Sequence, residues 1–264
     1  MIIQITTCQA RNTHAVTEAV ANHLAQHLNL DSRFSLESSW QERFQKVMTG
    51  QIQIGWICGY PYVQMISQPE PNLELLAMPV MAGARYQNRP IYFSDTVVRR
   101  ESHFQKFEDL RGAAWAYNEV GSQSGYHITR YKLAQIGANG DFFGTVIPSG
   151  SHLRSLQMVL AGEVDGSAID STVLEMALRE EPSLADRIRI IDTLGPSPIP
   201  PWVIHKGVPE PLRQAIRQTL TNLHLDPNGR AVLQQGPMVR FETAVDANYK
   251  LLRQMLHTAQ QITL

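Results

Sequence analysis

Two polar segments of this 264-residue sequence carry the residue types best suited to holding a small ion, and the first contains Ser122, Gln123 and Ser124. The apolar residues 113–117 before it have the composition of a strand, and residues 126–136 after it have helical spacing. The polar residues therefore stand where a helix begins, beside unpaired N–H groups and the positive end of the helix dipole. Hydroxyl groups in this place either cap the helix or help to hold an anion, and both interpretations are open at this point.

The second segment ends in His152 and opens another predicted helix. It reads Pro148-Ser149-Gly150-Ser151-His152, and the apolar side chains after it have amphipathic helical spacing: Leu153, Leu156, Val159 and Leu160. A short apolar strand over residues 165–169 comes next and ends in Asp170. The histidine can be a local cap or an anion ligand. The aspartate can be a structural carboxylate or the partner of a cationic group.

Other short segments occur together with these two in a characteristic order. They are Gln53-Ile54-Gly55-Trp56, Tyr92-Phe93-Ser94-Asp95-Thr96-Val97-Val98, Phe107-Glu108-Asp109-Leu110-Arg111-Gly112, Ser122-Gln123-Ser124-Gly125-Tyr126, Gly150-Ser151-His152 and Pro198-Ile199-Pro200-Pro201-Trp202-Val203. Each segment alone is weak evidence, but the series resembles the phosphonate-type solute-binding proteins of ABC importers. The resemblance implies an α/β, two-lobed fold like that of type II periplasmic binding proteins, with two mixed sheets flanked by helices and two interdomain crossings.

The resemblance also implies which polar residues hold the ligand. Ser122, Gln123 and Ser124 would bind the oxygens of a small oxyanion, which is a phosphonate, a phosphite or a phosphate. His152 would contact the same oxygens. Gln123 stands where the family has a threonine, so a longer amide replaces a compact hydroxyl at the centre of the expected site.

Aromatic residues line the ligand pocket in this family. Trp40 holds the place just before the second helix, Tyr92 corresponds to the opposite wall, and Tyr60 is expected at the rim. Family members that take aminoalkylphosphonates place acidic residues around the amine, and Pro200 stands at one of those positions here. Asp170 is the only acid nearby that can face a cationic group, and it can equally be a structural carboxylate. The resemblance therefore does not favour 2-aminoethylphosphonate as the ligand.

Composition and motifs exclude several other functions. The formal net charge is −1 and no stripe of lysine or arginine is present, which argues against nucleic acid as a partner. No apolar segment is long enough to insert into a membrane as a helix. The sequence has no metal-ligand spacing, no P-loop and no dinucleotide-binding fingerprint, so neither a metal nor a cofactor is expected. Cys8 and Cys58 each end a predicted strand, and whether they pair is open.

Predicted strands and helices alternate along the chain, which indicates an α/β fold with largely parallel sheets. Strands are expected at residues 2–6, 33–37, 52–57, 73–79, 90–99, 143–147, 165–169 and 188–192 and around Trp115. Helices are expected at residues 12–28, 40–49, 125–137, 152–161, 171–179, 209–224 and 243–261 and from Tyr60. The proline-rich residues 196–201 suit an interdomain crossing. Together with the resemblance, this pattern predicts lobe one at residues 1–97 and 200–264, lobe two at 98–199, and the ligand in the cleft between them.

Three classes of function are compatible with these observations. The expected one is a solute-binding protein, not an enzyme, that passes a small oxyanion to an ABC permease. The alternatives are a cytoplasmic ligand sensor and a small-molecule enzyme on the same fold, similar to those of the menaquinone pathway. An enzyme would use His152 as a base, but the sequence shows no second acid–base group at a spacing that indicates catalysis. The resemblance implies a periplasmic location. The first residues lack the features of a signal peptide, however, which favours the cytoplasm if the N-terminus is native.

Overall fold

The computed structural model describes residues 2–264. The chain forms two units and passes between them three times. Unit 1 contains the described residues up to Ile91 together with Pro198–Lys250, and unit 2 contains Tyr92–Ser197 together with Leu251–Leu264. From the sequence, we expected two passages, at 97/98 and 199/200, with all residues from 200 to 264 in lobe one. In the structure the passages lie at 91/92, 197/198 and 250/251, so that the end of the chain returns to unit 2.

Strands and α-helices alternate over most of the chain, which confirms the predicted α/β fold. The strands are β1 (Ile3–Thr7), β2 (Ser32–Phe34), β3 (Ile54–Trp56), β4 (Leu73–Met81), β5 (Ile91–Arg99), β6 (Ala114–Tyr117), β7 (Thr145–Pro148), β8 (Gly166–Asp170), β9 (Ile188–Pro198), β10 (Trp202–His205) and β11 (Met238–Thr243). The α-helices are α1 (His14–Leu28), α2 (Trp40–Met48), α3 (Gly59–Ile66), α4 (Ile128–Gln135), α5 (His152–Ala161), α6 (Ser171–Glu180), α7 (Glu210–Asn222), α8 (Pro227–Gln235) and α9 (Lys250–Thr258).

Unit 1 is built on a six-stranded mixed sheet in the order β11-β4-β10-β3-β1-β2. Strand β1 is parallel to both β2 and β3, since α1 and α2 carry the chain back between them. Strand β10 returns antiparallel to β3 and β4, and β11 is antiparallel to β4. Because Thr7 lies opposite Trp56 in the parallel pair, β1 and β3 end at the same edge of this sheet.

Unit 2 is built on a five-stranded mixed sheet in the order β7-β6-β8-β5-β9. Strand β6 is parallel to β7 and β8, whereas β5 runs antiparallel to β8 with Ser94 opposite Asp170. The carboxyl ends of β6, β7 and β8 and the beginning of β5 therefore lie at one edge. Turns and helix starts that follow these three strands are brought together there.

Strand β6 of the unit 2 sheet is covered by apolar side chains on both faces, which stabilises the edge at which it ends. Consecutive residues of a strand point to opposite faces. Trp115 of β6 stacks on Phe143 with ring centroids 4.7 Å apart, in an aromatic cluster that also contains Phe107. Its neighbour Ala116 belongs to the other cluster, together with Leu156 of α5. A strand covered on both faces reads as a continuous apolar run, as residues 113–117 do.

The end of the chain joins unit 2 because of specific long-range contacts. Met255 of α9 and Ile262 are buried in the aromatic cluster of unit 2. The guanidinium of Arg130 on α4 donates to the carbonyl oxygens of Ile262 and of Ala259, the latter at 2.8 Å. These contacts join segments far apart in the sequence, which explains why local patterns assigned the tail to the other lobe.

Between residues 225 and 250 the structure differs from the expectation. The sequence predicted no strand or helix at residues 225–242 and one helix over 243–261, whereas the structure has α8 and β11 in the first range and the shorter α9 in the second. Strand β11 gains its backbone partners from β4, and such pairing cannot be seen locally. In the part of the chain that the structure describes, no helix is long and apolar enough to cross a membrane.

Candidate functional site

Three segments that follow parallel strands of unit 2 contain the polar candidates. The turn with Ser122 and Ser124 follows β6, His152 begins the helix after β7, and Asp170 is the last residue of β8. In α/β sheets the carboxyl edge of the strands is the usual place for ligands, because loops and helix N-termini meet there. The topology of the sheet thus places the candidates of unit 2 at one edge.

Ser122 is the N-cap of the turn that leads into α4. A π-helical turn over Gln123–His127 precedes the regular helix, and the Ser122 Oγ accepts a hydrogen bond of 3.0 Å from the backbone N–H of Gly125. The cap uses the oxygen as an acceptor, so the hydroxyl proton can still be donated, and Ser124 Oγ lies 3.5 Å away. The first N–H groups of such a turn have no acceptor within it and point outwards. The segment therefore caps a helix, and its remaining donors can also bind an anion.

Ser124 is held at both its side chain and its backbone. Its Oγ lies 2.8 Å from His152 Nε2, and its carbonyl oxygen accepts a hydrogen bond of 2.7 Å from Ser94 Oγ on β5. Ser124 and His152 are almost completely buried, at 4% and 6% exposure. Ser124 of the hydroxyl turn and His152 are therefore in direct contact in the structure.

Burial lowers the pKa of His152 to about 4, although the backbone carbonyl of Ala168 beside the ring raises it in part. The imidazole is thus neutral at pH 7, with one nitrogen able to donate and the other able to accept. An anion next to the ring favours the charged form and raises this pKa. Anion binding at Ser124 would consequently be linked to the uptake of a proton by His152 or by the ligand.

Gly125 is needed in this turn because the amide of Asn118 lies against it. A Cβ at residue 125 would be 1.9 Å from Asn118 Oδ1 and 3.2 Å from His152 Cε1. Contacts shorter than 3.0 Å do not occur for real Cβ atoms, so another side chain cannot be accommodated without a shift. Gly125 was part of the sequence motif, whereas nothing in the local sequence singled out Asn118, which follows β6 directly.

The side-chain amide of Gln123 contacts two other residues of unit 2. It is fully buried, and its Nε2 is 3.4 Å from Ser197 Oγ and 3.7 Å from the sulfur of Met255. Both residues belong to unit 2. Ser197 is the last residue before the chain leaves this unit, and Met255 lies just after the chain returns to it.

Asp170 and Tyr92 lie at the same edge of the unit 2 sheet. Asp170 caps α6, accepting hydrogen bonds from the backbone N–H and the hydroxyl of Thr172 at 2.8 and 2.7 Å. Burial raises the pKa of this carboxyl to about 6, and the bonds from Thr172 only partly oppose the effect. Tyr92, two residues before Ser94 on β5, is 1% exposed. The cap gives Asp170 a structural role, and its contact with a ligand stays a prediction.

The candidates of unit 1 lie near the carboxyl ends of its strands β1 and β3. Trp40 is the first residue of α2, whose N-cap Ser39 accepts from the backbone N–H of Glu42 in a capping box. Cys8 follows β1, and its thiol is 3.6 Å from the carbonyl oxygen of Trp40. Tyr60 lies in the first turn of α3 after β3. Both cysteines are thiols in the structure. In the described residues, no group of three or more potential ligands is arranged for a metal ion.

Known proteins share this fold over almost the whole chain. A binding protein component of an ABC phosphonate transporter from Pseudomonas aeruginosa has 16% sequence identity and a TM-score of 0.86, over 98% of this chain and 86% of that chain. PhnD1 from Prochlorococcus marinus, solved in complex with methylphosphonate, has 16% identity and a TM-score of 0.85, over 99% of both chains. A protein from Xanthomonas citri bound to ATP follows with 15% identity and a TM-score of 0.73, over 98% of this chain and 97% of that chain.

Structural likeness at such low identity concerns the fold, and the family assignment rests on a separate match. Residues 3–249 match the family described as the ABC transporter, phosphonate, periplasmic substrate-binding protein. The matched range includes the Ser122 turn, His152 and the unit 1 candidates. This chain therefore belongs to the family of periplasmic substrate-binding proteins of phosphonate ABC transporters.

Proposed function

We propose that this protein captures a small phosphorus oxyanion, a phosphonate, phosphite or phosphate, at the Ser122 turn for an ABC importer. The observation that carries the proposal is the buried contact of 2.8 Å between Ser124 Oγ and His152 Nε2 at the start of a helix. Family membership supports it, and so does the methylphosphonate complex of the Prochlorococcus marinus relative.

The chemistry of the turn suits an oxyanion. Buried anionic oxygens need hydrogen-bond donors for their lone pairs, and such charge-assisted bonds are stronger than neutral ones. The hydroxyls of Ser122 and Ser124, the N–H groups at the helix start and the imidazole of His152 supply them. The positive end of the helix dipole adds a favourable field without a lysine or an arginine.

The organic part of the ligand is expected to be small and uncharged. Asp170, the one candidate for binding an amine, is engaged as the cap of α6. We therefore expect methylphosphonate, phosphite or phosphate to bind more tightly than 2-aminoethylphosphonate. Trp40, Tyr60 and Tyr92 stay predictions for contacts to the non-oxygen substituent, and a contact of Gln123 with the oxyanion stays a prediction as well.

Transport is the physiological role that follows from this assignment. The family consists of periplasmic substrate-binding proteins. We place capture in the periplasm and delivery at the permease of the importer, with no chemical change of the ligand and no cofactor.

Calorimetric titration with methylphosphonate, phosphite, phosphate, sulfate and 2-aminoethylphosphonate tests the proposal. We expect the double variant Ser122→Ala/His152→Ala to weaken methylphosphonate binding by about 100-fold or more, because two charge-assisted bonds are lost. Asp226→Ala is the control, since Asp226 caps α8 by accepting from the N–H of a glycine three residues later, as Ser122 does. Equal affinities in wild type, double variant and control would contradict the site. A wild-type protein that binds none of these anions would contradict the function.

A further inference from the structure

Ser94 of β5 is a buried hydroxyl residue that contacts the Ser122 turn but lies outside it. It is 2% exposed, and its Oγ donates a hydrogen bond of 2.7 Å to the carbonyl oxygen of Ser124. The direction of this bond is unambiguous, because a carbonyl oxygen can only accept. Strands β5 and β6 are separated by β8 in the sheet of unit 2. The bond therefore joins the turn after β6 to a strand that is not a neighbour of β6.

The bond from Ser94 completes the fixation of one peptide group in the turn. The carbonyl group of Ser124 and the N–H group of Gly125 belong to the same planar peptide group and point in opposite directions. Ser94 holds the carbonyl oxygen, and Ser122 Oγ accepts from the N–H at 3.0 Å. A peptide plane that is held on both sides cannot rotate without breaking a hydrogen bond. The backbone at Ser124 is thereby fixed, and with it the direction of the Ser124 side chain.

The sheet holds Ser94 itself in place. Ser94 lies opposite Asp170 in the antiparallel pair of β5 and β8, and the backbone N–H of Phe93 donates to Ser171 Oγ at 3.1 Å. A single side-chain torsion places the oxygen of a serine, so an ordered backbone leaves the hydroxyl few alternative positions. Groups supported by strands are positioned more precisely than groups supported by loops. The position of Ser124 is therefore determined by β5 as well as by β6.

We propose that Ser94 is a positioning residue of the ligand site, which keeps Ser124 Oγ next to His152 Nε2, at 2.8 Å, so that both groups can bind the same oxyanion. The inference rests on the proposed function, because it assigns a supporting residue to the same ligand. Ser94 acts through Ser124 and does not itself contact the ligand. The position matters because hydrogen bonds weaken steeply when their geometry is distorted.

Ser94→Ala and Ser167→Ala, compared by calorimetric titration and by urea unfolding, test the assignment. Ser167 of β8 is the matched control, since it is also buried and its Oγ donates to a backbone carbonyl, that of Ala116, at 2.8 Å. Each substitution removes one oxygen atom and takes one donor from a carbonyl group, so we expect similar decreases in the midpoint of urea unfolding. Ser94→Ala alone should weaken methylphosphonate binding, by about fivefold or more.

A double-mutant cycle with Ser124→Ala tests whether Ser94 acts through Ser124. The loss of affinity caused by Ser94→Ala should be smaller when residue 124 is already alanine, because the hydroxyl that Ser94 positions is then missing. Losses that add fully would show that the two residues act independently, and this result would overturn the assignment.

A purely structural Ser94 gives a different pattern. Ser94→Ala would then lower the unfolding midpoint as Ser167→Ala does, and the dissociation constant for methylphosphonate would stay within about twofold of wild type. That result, or an equal loss of affinity in both variants, would overturn the positioning role while the proposed function stands. Failure of the wild-type protein to bind any phosphorus oxyanion would overturn the proposed function and this assignment together.

Discussion

At the residue scale, neighbouring side chains of the Ser122 turn have different tasks. Ser124 contacts His152, whereas the next residue towards the N-terminus, Gln123, directs its amide to Ser197 and Met255. In a helical turn, adjacent residues point in different directions, so a motif of consecutive residues need not act as one site. The distinction leads to opposite expectations for variants one position apart.

Gln123→Ala should lower stability and spare the ligand. The substitution removes two buried contacts and leaves a cavity, and we expect a loss of about 1–3 kcal/mol in the free energy of unfolding. The dissociation constant for methylphosphonate should change by less than about threefold, because the side-chain amide contacts Ser197 and Met255 of the protein. Ser124→Ala should show the reverse, with weaker binding and a smaller loss of stability. Urea unfolding and calorimetry on both variants check this, and a tenfold loss of affinity in Gln123→Ala would show that the amide does contact the ligand.

His127 should make the protein less stable in acid. Burial, followed by the charge of Arg130, lowers its pKa from 6.5 to about 3. Between these values the unfolded chain binds a proton that the folded chain does not, so the free energy of unfolding decreases as the pH falls below 6.5. We expect His127→Gln to reduce the slope of stability against pH by up to about 1.4 kcal/mol per pH unit between pH 5 and 4. Urea unfolding over pH 4–7 measures it, and parallel curves for variant and wild type would refute the assignment.

Local motifs in the sequence predicted which candidate residues lie at the starts of helices. Ser122, Ser124 and His152 belong to motifs at helix starts, and the structure brings the last two into contact. Asn118 lies against Gly125 across the turn, and neither residue type nor spacing indicates that contact. Gln123 could not be placed for the same reason, since its partners are 74 and 132 residues away in the sequence.

At the element scale, one arginine connects the helix of the candidate site with the end of the chain. Arg130 on α4 donates to carbonyl oxygens of the tail at Ala259 and Ile262, and to Nδ1 of His127 at 2.9 Å. Carbonyl groups at the end of a helix have no partner within it, so the guanidinium caps the segment after α9. Because α4 follows the Ser122 turn directly, this cap also holds the helix that supports the turn.

Arg130→Ala should therefore destabilise unit 2 and release the tail. We expect a loss of about 2–4 kcal/mol in the free energy of unfolding, since several partly buried bonds of a charged group disappear. Limited proteolysis should cut the tail faster in the variant. Arg154→Ala is the control, because Arg154 forms an exposed ion pair with Glu163, with both side chains more than 40% exposed, and should cost less than about 1 kcal/mol. Equal losses in the two variants would contradict the capping role.

Secondary structure was predicted correctly where the sequence pattern of the segment itself defines the element, and was missed where the element depends on distant segments. Most of the strand–helix alternation from β1 to α7 follows from hydrophobic periodicity, which is a local property, but β10 was not among the predicted strands. The segment around α8 gave no such signal, because its start reads Asp226-Pro227-Asn228-Gly229, a run typical of turns. In the structure Asp226 is the N-cap and Pro227 the first helical residue, which are favourable helix-start positions. Strand β11 needs β4 for its hydrogen bonds and could not be recognised alone.

At the scale of the whole molecule, neither unit is a continuous piece of chain. Unit 2 combines Tyr92–Ser197 with Leu251–Leu264, and the second segment supplies Met255 and Ile262 to its aromatic cluster. A fragment that ends at Ser197 would expose the apolar surface that these residues cover. It would also leave Arg130 without the carbonyl groups of the tail. The unit should therefore fold only when both segments are present.

This dependence can be measured with two fragments of unit 2. Residues 92–197 alone should show secondary structure without a cooperative urea transition, because part of the core is missing. The same residues joined to 251–264 by a Gly/Ser linker of about 20 residues, which spans roughly 25 Å on average, should unfold cooperatively. Introducing Arg130→Ala into the joined fragment should lower its midpoint, since it removes the link between α4 and the added segment. A cooperative transition of equal midpoint in the short and joined fragments would mean that the tail is not part of the folding unit.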